Sequence, residues 1–139
     1  MMSVLSLDLR GPLFYKGRED VEPFGDNPAD GEFLFCFELN PSQCLCFEPG
    51  EPYLGPLVFK GELATEAESG ADGFRLERGS YLFAQTRETL TREGWLAMAV
   101  EVQQEGLWRR LTPGPRLYLR RLWEDGRPVT QAWRPVSGG

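Results

Sequence analysis

The sequence of 139 residues contains no histidine, only two lysines and three cysteines. Without an imidazole, the chain has no Ser-His or Cys-His nucleophile pair, no histidine proton shuttle and no histidine metal ligand. The glycine-rich patterns G-x-x-x-x-G-K-[ST] and G-x-G-x-x-G are both missing, and with them the two common phosphate cradles. These absences remove most hydrolase templates and argue against nucleotide-dependent catalysis and against a cofactor.

Long apolar segments are also missing. No apolar run approaches the roughly 20 residues that a membrane helix needs, and the opening MMSVLSLDLRGP lacks the basic and apolar regions of a signal peptide. The odd number of cysteines agrees with a reducing compartment. We therefore expect a cytoplasmic protein with no membrane association.

The length and composition are those of one ordinary globular domain. Hydrophobic residues make up 41% of the chain and charged residues 26%, which is typical of a folded domain with a core of its own. We expect a single domain over residues 1–139. It divides into a β-rich, acidic part, residues 1–78, and a β-α-β-β unit, residues 79–136.

Charge is distributed unevenly along the chain. Residues 1–73 contain fourteen acidic and four basic side chains, a net charge of −10, and residues 74–139 contain seven and eleven, a net charge of +4. Either the basic half binds an anionic partner, or the two halves fold together and neutralise each other. We favour the second interpretation, because a single domain interleaves its halves.

The three cysteines fall within one predicted β-hairpin. Glu32 to Leu39 and Cys44 to Phe47 are apolar runs separated by the turn cluster Asn40 to Gln43. Strand alternation places Cys36 on the face opposite Cys44 and Cys46, so three thiolates do not converge on one ion. We predict reduced structural cysteines and no metal site. Phe33, Phe35, Phe37 and Leu39 are predicted to lie on the same face of the hairpin as Cys44 and Cys46.

One convincing helix is predicted, from Glu88 to Arg110, with Thr89 or Thr91 as its N-cap and Gly106 near its end. An apolar stripe at three- and four-residue spacing is typical of a core-facing surface and also suits the lining of a ligand pocket. The stripe consists of Trp95, Met98, Ala99 and Val102. The preceding acidic segment, residues 65–73, is predicted to be an exposed loop.

The segment RLYLRRLWEDGRPVTQAWRPV, residues 116–136, is predicted to be a hairpin with a type I′ turn at Asp125-Gly126. This register pairs Tyr118 with Trp133 and Arg120 with Gln131 on one face. It places Arg121 on the other face, so the arginines are divided. A nucleic-acid surface gathers its basic and stacking groups on one face, and nucleic acid is therefore an unlikely partner.

The face with Tyr118, Arg120 and Trp133 has two interpretations of equal weight. Two aromatic rings flank a guanidinium that suits a carboxylate or phosphate. Alternatively, Tyr118 and Trp133 form a cross-strand aromatic pair with Arg120 stacked over it, which is a structural arrangement without a ligand.

The order strand, helix, strand, strand over residues 79–136 resembles the GyrI-like, or SHS2-module, small-molecule-binding domain. The matching pieces are Gly79-Ser80-Tyr81 before the helix, Pro115 to Tyr118 after it, and Arg134-Pro135-Val136 in the last strand. The resemblance implies an α+β fold that binds a small molecule. An acidic residue that such domains direct toward cationic ligands is replaced here by Arg116 or Leu117, which implies an anionic or neutral ligand.

We thus expect an α+β protein, a mostly antiparallel sheet with one principal helix packed on it and a C-terminal β-α-β-β unit. The predicted function is non-enzymatic binding of a small molecule in a groove beside the helix. A protein-protein interaction module, acting through the acidic half or the aromatic hairpin, is the alternative. An enzyme using Glu124 and Asp125 is disfavoured, because these residues form a hairpin tip. The predicted ligand-binding residues are Tyr81, Trp95, Tyr118, Arg120 and Trp133.

Overall fold

The computed structural model describes residues 3–24, 31–39, 54–87 and 91–138. It is a mostly antiparallel sheet with one main helix, which confirms the sheet-dominated α+β class. The elements are β1 (Leu5–Leu9), β2 (Leu13–Gly17), β3 (Phe33–Leu39), β4 (Leu54–Ala64), α1 (Glu66–Ser69), β5 (Phe74–Leu76), β6 (Gly79–Thr86), α2 (Arg92–Trp108), β7 (Thr112–Pro113), β8 (Arg116–Glu124) and β9 (Arg127–Ser137).

The strand order forces the sheet to curl. The strands lie in the order β1-β6-β9-β8-β3-β4-β2-β5, with β7 paired to β9. In a flat sheet the six steps from β1 to β2 would cover about 29 Å at about 4.8 Å per strand. Residues 10–12, which connect them, span at most about 14 Å. The two edges of the sheet must therefore approach each other, and the same holds for β5 and β6, joined by residues 77–78.

Curling gives the sheet an inner and an outer face with separate apolar clusters. The outer face is covered by α2 and by residues 21–24, which pack on Phe33, Phe35 and Leu119, among others. The inner face is filled from nearly every strand, and its buried members are Tyr15, Leu34, Cys36, Leu76, Tyr81, Tyr118 and Trp133. The predicted division of Phe33 to Leu39 into two faces is confirmed.

Helix α2 has one of the two predicted threonines as its N-cap but ends differently from the prediction, and residues 88–90 of the predicted helix lie outside the described residues. Thr91 is the N-cap, and its hydroxyl accepts a hydrogen bond from the Gly94 N–H at 3.1 Å. Gly106 does not end the helix but is buried inside it, where an added Cβ would stand 3.4 Å from Leu82. The stripe of Trp95, Met98, Ala99 and Val102 is buried in the outer-face core. Close packing rather than termination therefore explains Gly106.

The predicted exposed loop at residues 65–73 contains a helical turn. In α1 the Thr65 side chain accepts from the Glu68 N–H, and the Glu68 carboxylate accepts from the Thr65 N–H. This reciprocal capping box satisfies two donors at the start of a helix. The predicted exposure is confirmed, but the prediction of a loop was wrong over residues 66–69, because the short T-x-x-E signal decides the local structure. Neither helix that the structure describes is long and apolar enough to cross a membrane.

The C-terminal hairpin has the register expected from Asp125-Gly126. Both turn residues have positive φ, 53° and 75°, as a type I′ turn requires. Tyr118 lies opposite Trp133 and Arg120 opposite Gln131. This part of the chain therefore folds as its local turn chemistry dictates.

Strand β3 is paired on both edges, with β4 on one side and β8 on the other. The predicted return strand Cys44 to Phe47 lies outside the residues that the structure describes. Cys36 is fully buried, and burial raises the pKa of its thiol to about 12. Within the described ranges no three metal-ligating side chains form a group.

Candidate binding site on the inner face of the sheet

Polar side chains from four parts of the chain converge on one region of the otherwise apolar inner face. Arg120 lies on β8, Gln131 lies opposite it on β9, and Tyr15 lies on β2. Glu32 stands immediately before β3, in alternation with Leu34 of the inner face. We call Tyr15, Glu32, Arg120, Gln131 and Trp133 the inner-face cluster.

One carboxylate oxygen organises this cluster. Glu32 Oε2 accepts hydrogen bonds from Arg120 Nη2 at 2.8 Å, from Arg120 Nε at 3.0 Å and from the Tyr15 hydroxyl at 3.0 Å. The side chains of Arg120 and Glu32 are 18% and 17% exposed. A charge-assisted pair with this little solvent is stronger than a surface salt bridge.

The guanidinium also stacks on an aromatic ring. The Arg120 Cζ lies 4.9 Å from the centre of the Trp133 ring, within the range of a cation-π contact. Trp133 Nε1 donates to Gln131 Oε1 at 2.7 Å, and Gln131 Nε2 donates to Gln85 Oε1 at 2.7 Å. The amides thereby extend the cluster from the buried Trp133 to the exposed Gln85.

The electrostatics keep the donors of the cluster protonated. Burial, assisted by the negative charge of Glu32, raises the pKa of Tyr15. For Arg120, burial lowers the pKa, but Tyr15 and Glu32 raise it by more, so the net change is upward. At neutral pH the phenol and the guanidinium are both hydrogen-bond donors. The cluster thus offers a fixed pattern of hydrogen bonds around a neutralised charge pair.

The structure brings four of the five predicted site residues together. Tyr81 packs against Trp133 in a tilted arrangement, with ring centres 5.2 Å apart, and edge-to-face against Tyr118, at 6.5 Å. Arg120 lies over Trp133. The three rings are nearly inaccessible to solvent, so they form a packed aromatic layer with the guanidinium above it.

Trp95 lies on the other side of the sheet. It is fully buried in the outer-face core, where its Nε1 donates to the backbone oxygen of Gln131 at 3.2 Å. It contacts Phe37 at 5.4 Å between ring centres. Trp95 therefore supports β9 from behind and does not share a face with the other four.

Burial also affects the tyrosines of the aromatic layer. Burial and the negative charge of Glu77 raise the pKa of Tyr81 to about 12, and its hydroxyl donates to the Glu77 backbone oxygen at 2.6 Å. Burial is the main cause that raises the pKa of Tyr118. Both phenols are neutral over the physiological range.

Sequence reasoning did not find Tyr15, Glu32 and Gln131 as members of the site. For Glu32 a signal exists, because it alternates with Leu34 and Cys36 and so lies on a face that is otherwise apolar. For Gln131 the predicted pairing with Arg120 was itself a signal. No local pattern identifies Tyr15, because β2 reaches the cluster only through the curl of the sheet.

Apolar side chains on the same face are open to solvent. Leu5 lies opposite Phe83 and Leu63 opposite Tyr15, so both belong to the inner face, yet they are 49% and 45% exposed. A separate cleft of about 560 Å³ lies beside β4, and its lining includes none of the five predicted site residues. The inner-face cluster, and not this cleft, contains the predicted chemistry.

No protein-family model matches the sequence, and no curated protein matches it significantly.

Proposed function

We propose that the protein is a non-enzymatic binding domain that holds a small, neutral molecule at the inner-face cluster. The observation that carries this proposal is the Glu32-Arg120 pair, held over Trp133 with Tyr15 and Gln131 around it and still partly open to solvent. Buried polar groups with a partial opening and aromatic walls are typical of small-molecule sites. The resemblance of residues 79–136 to GyrI-like domains supports the same conclusion.

The charge balance of the cluster selects the ligand class. Arg120 directs Nε and Nη2 to Glu32, and its Nη1 stands 3.4 Å from Gln131 Oε1. An anion would have to displace the Glu32 carboxylate, which costs the charge-assisted bonds of that pair. A neutral ligand instead uses the remaining acceptor capacity of Glu32 and the amides. We therefore favour a neutral ligand over an anionic one.

Each residue has a separate role in this proposal. Arg120 with Glu32 provides oriented hydrogen bonds to the ligand, and the buried Trp133 ring supports Arg120 from below. Tyr81 packs against both Trp133 and Tyr118 and keeps the Trp133 ring in place. The exposed apolar side chains Leu5 and Leu63 contact the apolar part of the ligand. Trp95 acts only indirectly, through its bond to the β9 backbone.

The experiment is a thermal-shift screen with matched panels of neutral and anionic metabolites. Mass action raises the melting temperature in the presence of any ligand that binds the folded state. We expect neutral compounds with both polar and aromatic parts to raise it, with a simultaneous change in tryptophan fluorescence. Stabilisation by anionic compounds alone, or by none of either panel, would contradict the proposal.

Two variants and one control locate the effect. Arg120→Met removes the guanidinium, and Gln85→Ala removes an exposed partner of Gln131 without touching the core. Both variants should raise the Kd of a stabilising compound at least about tenfold, which corresponds to about 1.4 kcal/mol of binding free energy. Arg87→Met is the control, because Arg87 is an exposed arginine paired with Glu124, and it should leave the affinity unchanged.

A further inference from the structure

The two edges of β4 are paired over different lengths. Strand β3 pairs with β4 from Leu54 to Glu62, whereas β2 pairs with residues 61–64. Beyond the end of β2, the Arg18 N–H donates to the Lys60 backbone oxygen at 3.0 Å, and the chain then turns away at residues 19–20. Along residues 57–59, the edge that faces away from β3 has no strand neighbour within the described ranges.

A cleft lies where β2 stops. Its volume is about 560 Å³, within the range of about 300–1,000 Å³ that is typical of ligand sites. One wall is the β4 edge from Leu57 to Lys60, and the other contains Gly17, Glu19 and Asp72. The cleft therefore runs alongside a strand edge, in the line that β2 would follow if it were longer.

The β4 wall of the cleft is apolar and irregular. The register passes from Cys36 opposite Phe59 to Phe37 opposite Leu57, which leaves Val58 as the extra residue of a β-bulge. Bulges redirect side chains and are common beside functional sites. Leu57 and Val58 are 37% and 43% exposed, so the bulge presents two apolar side chains to solvent next to the open edge.

The opposite wall is acidic. Glu19 and Asp72 are both exposed, and the one cation in the lining, Lys60, is already paired with Glu22 at 3.4 Å. The chain as a whole has a net charge of −6. A partner with positive charge is therefore favoured electrostatically.

We propose that this cleft binds an extended peptide segment in which lysine or arginine alternates with β-branched residues. The peptide lies along the β4 edge beyond the end of β2, as in recognition by strand addition. Its basic side chains reach Glu19 and Asp72, and its apolar side chains contact Leu57 and Val58. The proposal is independent of the inner-face cluster, because the cleft shares no residue with it.

Fluorescence anisotropy with a labelled hexapeptide, Lys-Val-Lys-Val-Lys-Val, tests this directly. We expect a Kd of about 10–100 μM and at least tenfold weaker binding of the Glu-Val-Glu-Val-Glu-Val counterpart. A third peptide has the basic sequence with alternate backbone nitrogens methylated. This methylated peptide should also bind at least tenfold more weakly, because methylation removes the backbone N–H donors that pair with a strand edge. Unchanged binding of either control peptide would overturn the proposal, as would no binding of the basic peptide at about 1 mM.

Two charge variants separate this site from general attraction to an acidic protein. The double variant Glu19→Lys, Asp72→Lys reverses the charge of the acidic wall of the cleft. We expect it to weaken binding of the basic peptide at least tenfold and to strengthen binding of the acidic peptide. Glu66→Lys with Glu101→Lys makes the same change in net charge at exposed positions away from the cleft lining. It should alter the Kd by less than twofold, and an equal loss in both double variants would overturn the proposal.

Discussion

At the scale of single residues, the most consequential side chain is Glu32. Its Oε2 atom accepts three hydrogen bonds from two residues on different strands, and it is the carboxylate that compensates the Arg120 guanidinium. Removing one partner of a poorly solvated pair leaves the other uncompensated, which costs more than a surface pair contributes. Glu32 also joins the acidic and basic halves of the chain.

We expect Glu32→Gln to lower the free energy of unfolding by about 1–3 kcal/mol. The amide keeps the shape of the side chain but leaves Arg120 without a counter-charge. Chemical denaturation measures the change. Glu124→Gln is the matched control, because it breaks the exposed Arg87-Glu124 pair, and it should cost no more than about 0.5 kcal/mol. Equal effects of the two variants would show that Glu32 is an ordinary surface carboxylate.

Arg121, the neighbour of Arg120, lies on the outer face under different conditions. It is 5% exposed and packs on Phe33 and Phe35. Its Nη1 donates to the Glu22 backbone oxygen at 3.1 Å, while its Nε has no hydrogen-bond partner. No carboxylate of the described residues pairs with it, and burial lowers its pKa.

The variant Arg121→Met should therefore raise the free energy of unfolding, by about 1–2 kcal/mol, because it replaces a buried charge, which no carboxylate of the described residues pairs with, by an apolar side chain. Denaturant melts of this variant measure the gain. Arg75→Met, at an exposed position, should stay within about 0.5 kcal/mol of the parent protein. A loss of stability in Arg121→Met would contradict this assignment.

Because the thiol of Cys36 and the phenol of Tyr81 are buried, we expect the protein to lose stability at high pH. Burial raises the pKa of Cys36 from 9.0 to about 12, and burial with the charge of Glu77 raises that of Tyr81 from 10.0 to about 12. Between these values the unfolded chain releases protons that the folded chain retains, so the free energy of unfolding falls as pH rises from about 9 to 12. Tyr81→Phe should reduce this fall above pH 10. Urea titrations at a series of pH values measure it, and a flat profile would contradict the burial of these groups.

At the scale of elements, helix α2 shows which signals a local sequence contains. Thr91 at the N-cap and the buried stripe were predictable, since capping and periodicity are local properties. The end of the helix was not, because Arg110 holds the left-handed position that glycine usually takes. Its φ is 62°, and it donates to the Leu107 oxygen while Leu111 donates to the Gly106 oxygen. These two bonds form a Schellman motif without its usual glycine.

Arg110→Gly should stabilise the protein by about 0.5–1 kcal/mol, because glycine adopts positive φ without a Cβ penalty. Arg109→Gly is the control. Arg109 has φ −81° and an i,i+4 bond to Glu105, so glycine there should lower the stability by a similar amount. Thermal unfolding of both variants measures the difference, and a loss in Arg110→Gly would contradict the motif.

Some strand pairings also follow from local sequence, whereas others join segments that are distant in the sequence. The register of β8 with β9 was predictable from Asp125-Gly126, because the turn fixes every pair behind it. The pairing of β2 with both β4 and β5 was not predictable, since no short turn joins β2 to either of them. For the same reason Tyr15 was absent from the predicted site.

At the scale of the whole molecule, the curl of the sheet decides what each predicted residue does. Strands β6, β9 and β8 of the basic half lie between β1 on one side and β3 on the other, so the two halves share one sheet. The curl turns Tyr81, Tyr118, Arg120 and Trp133 inward and leaves Trp95 outside. The sequence indicates the residue types of the site, but only the pairing of β3 with β8 shows that Glu32 already neutralises Arg120.

The tryptophan indoles provide the most direct measurement of the proposed binding. Trp133 Nε1 donates inside the cluster, Trp95 Nε1 donates from the outer face, and Trp108 is 81% exposed at the end of α2. Two-dimensional NMR of ¹⁵N-labelled protein should follow the indole signals during titration with the neutral compound that most raises the melting temperature. We expect a large shift of the Trp133 indole signal and little change at Trp95 and Trp108. A shift at Trp95 or Trp108 with Trp133 unchanged, or no indole shift with any compound of the panel, would contradict it.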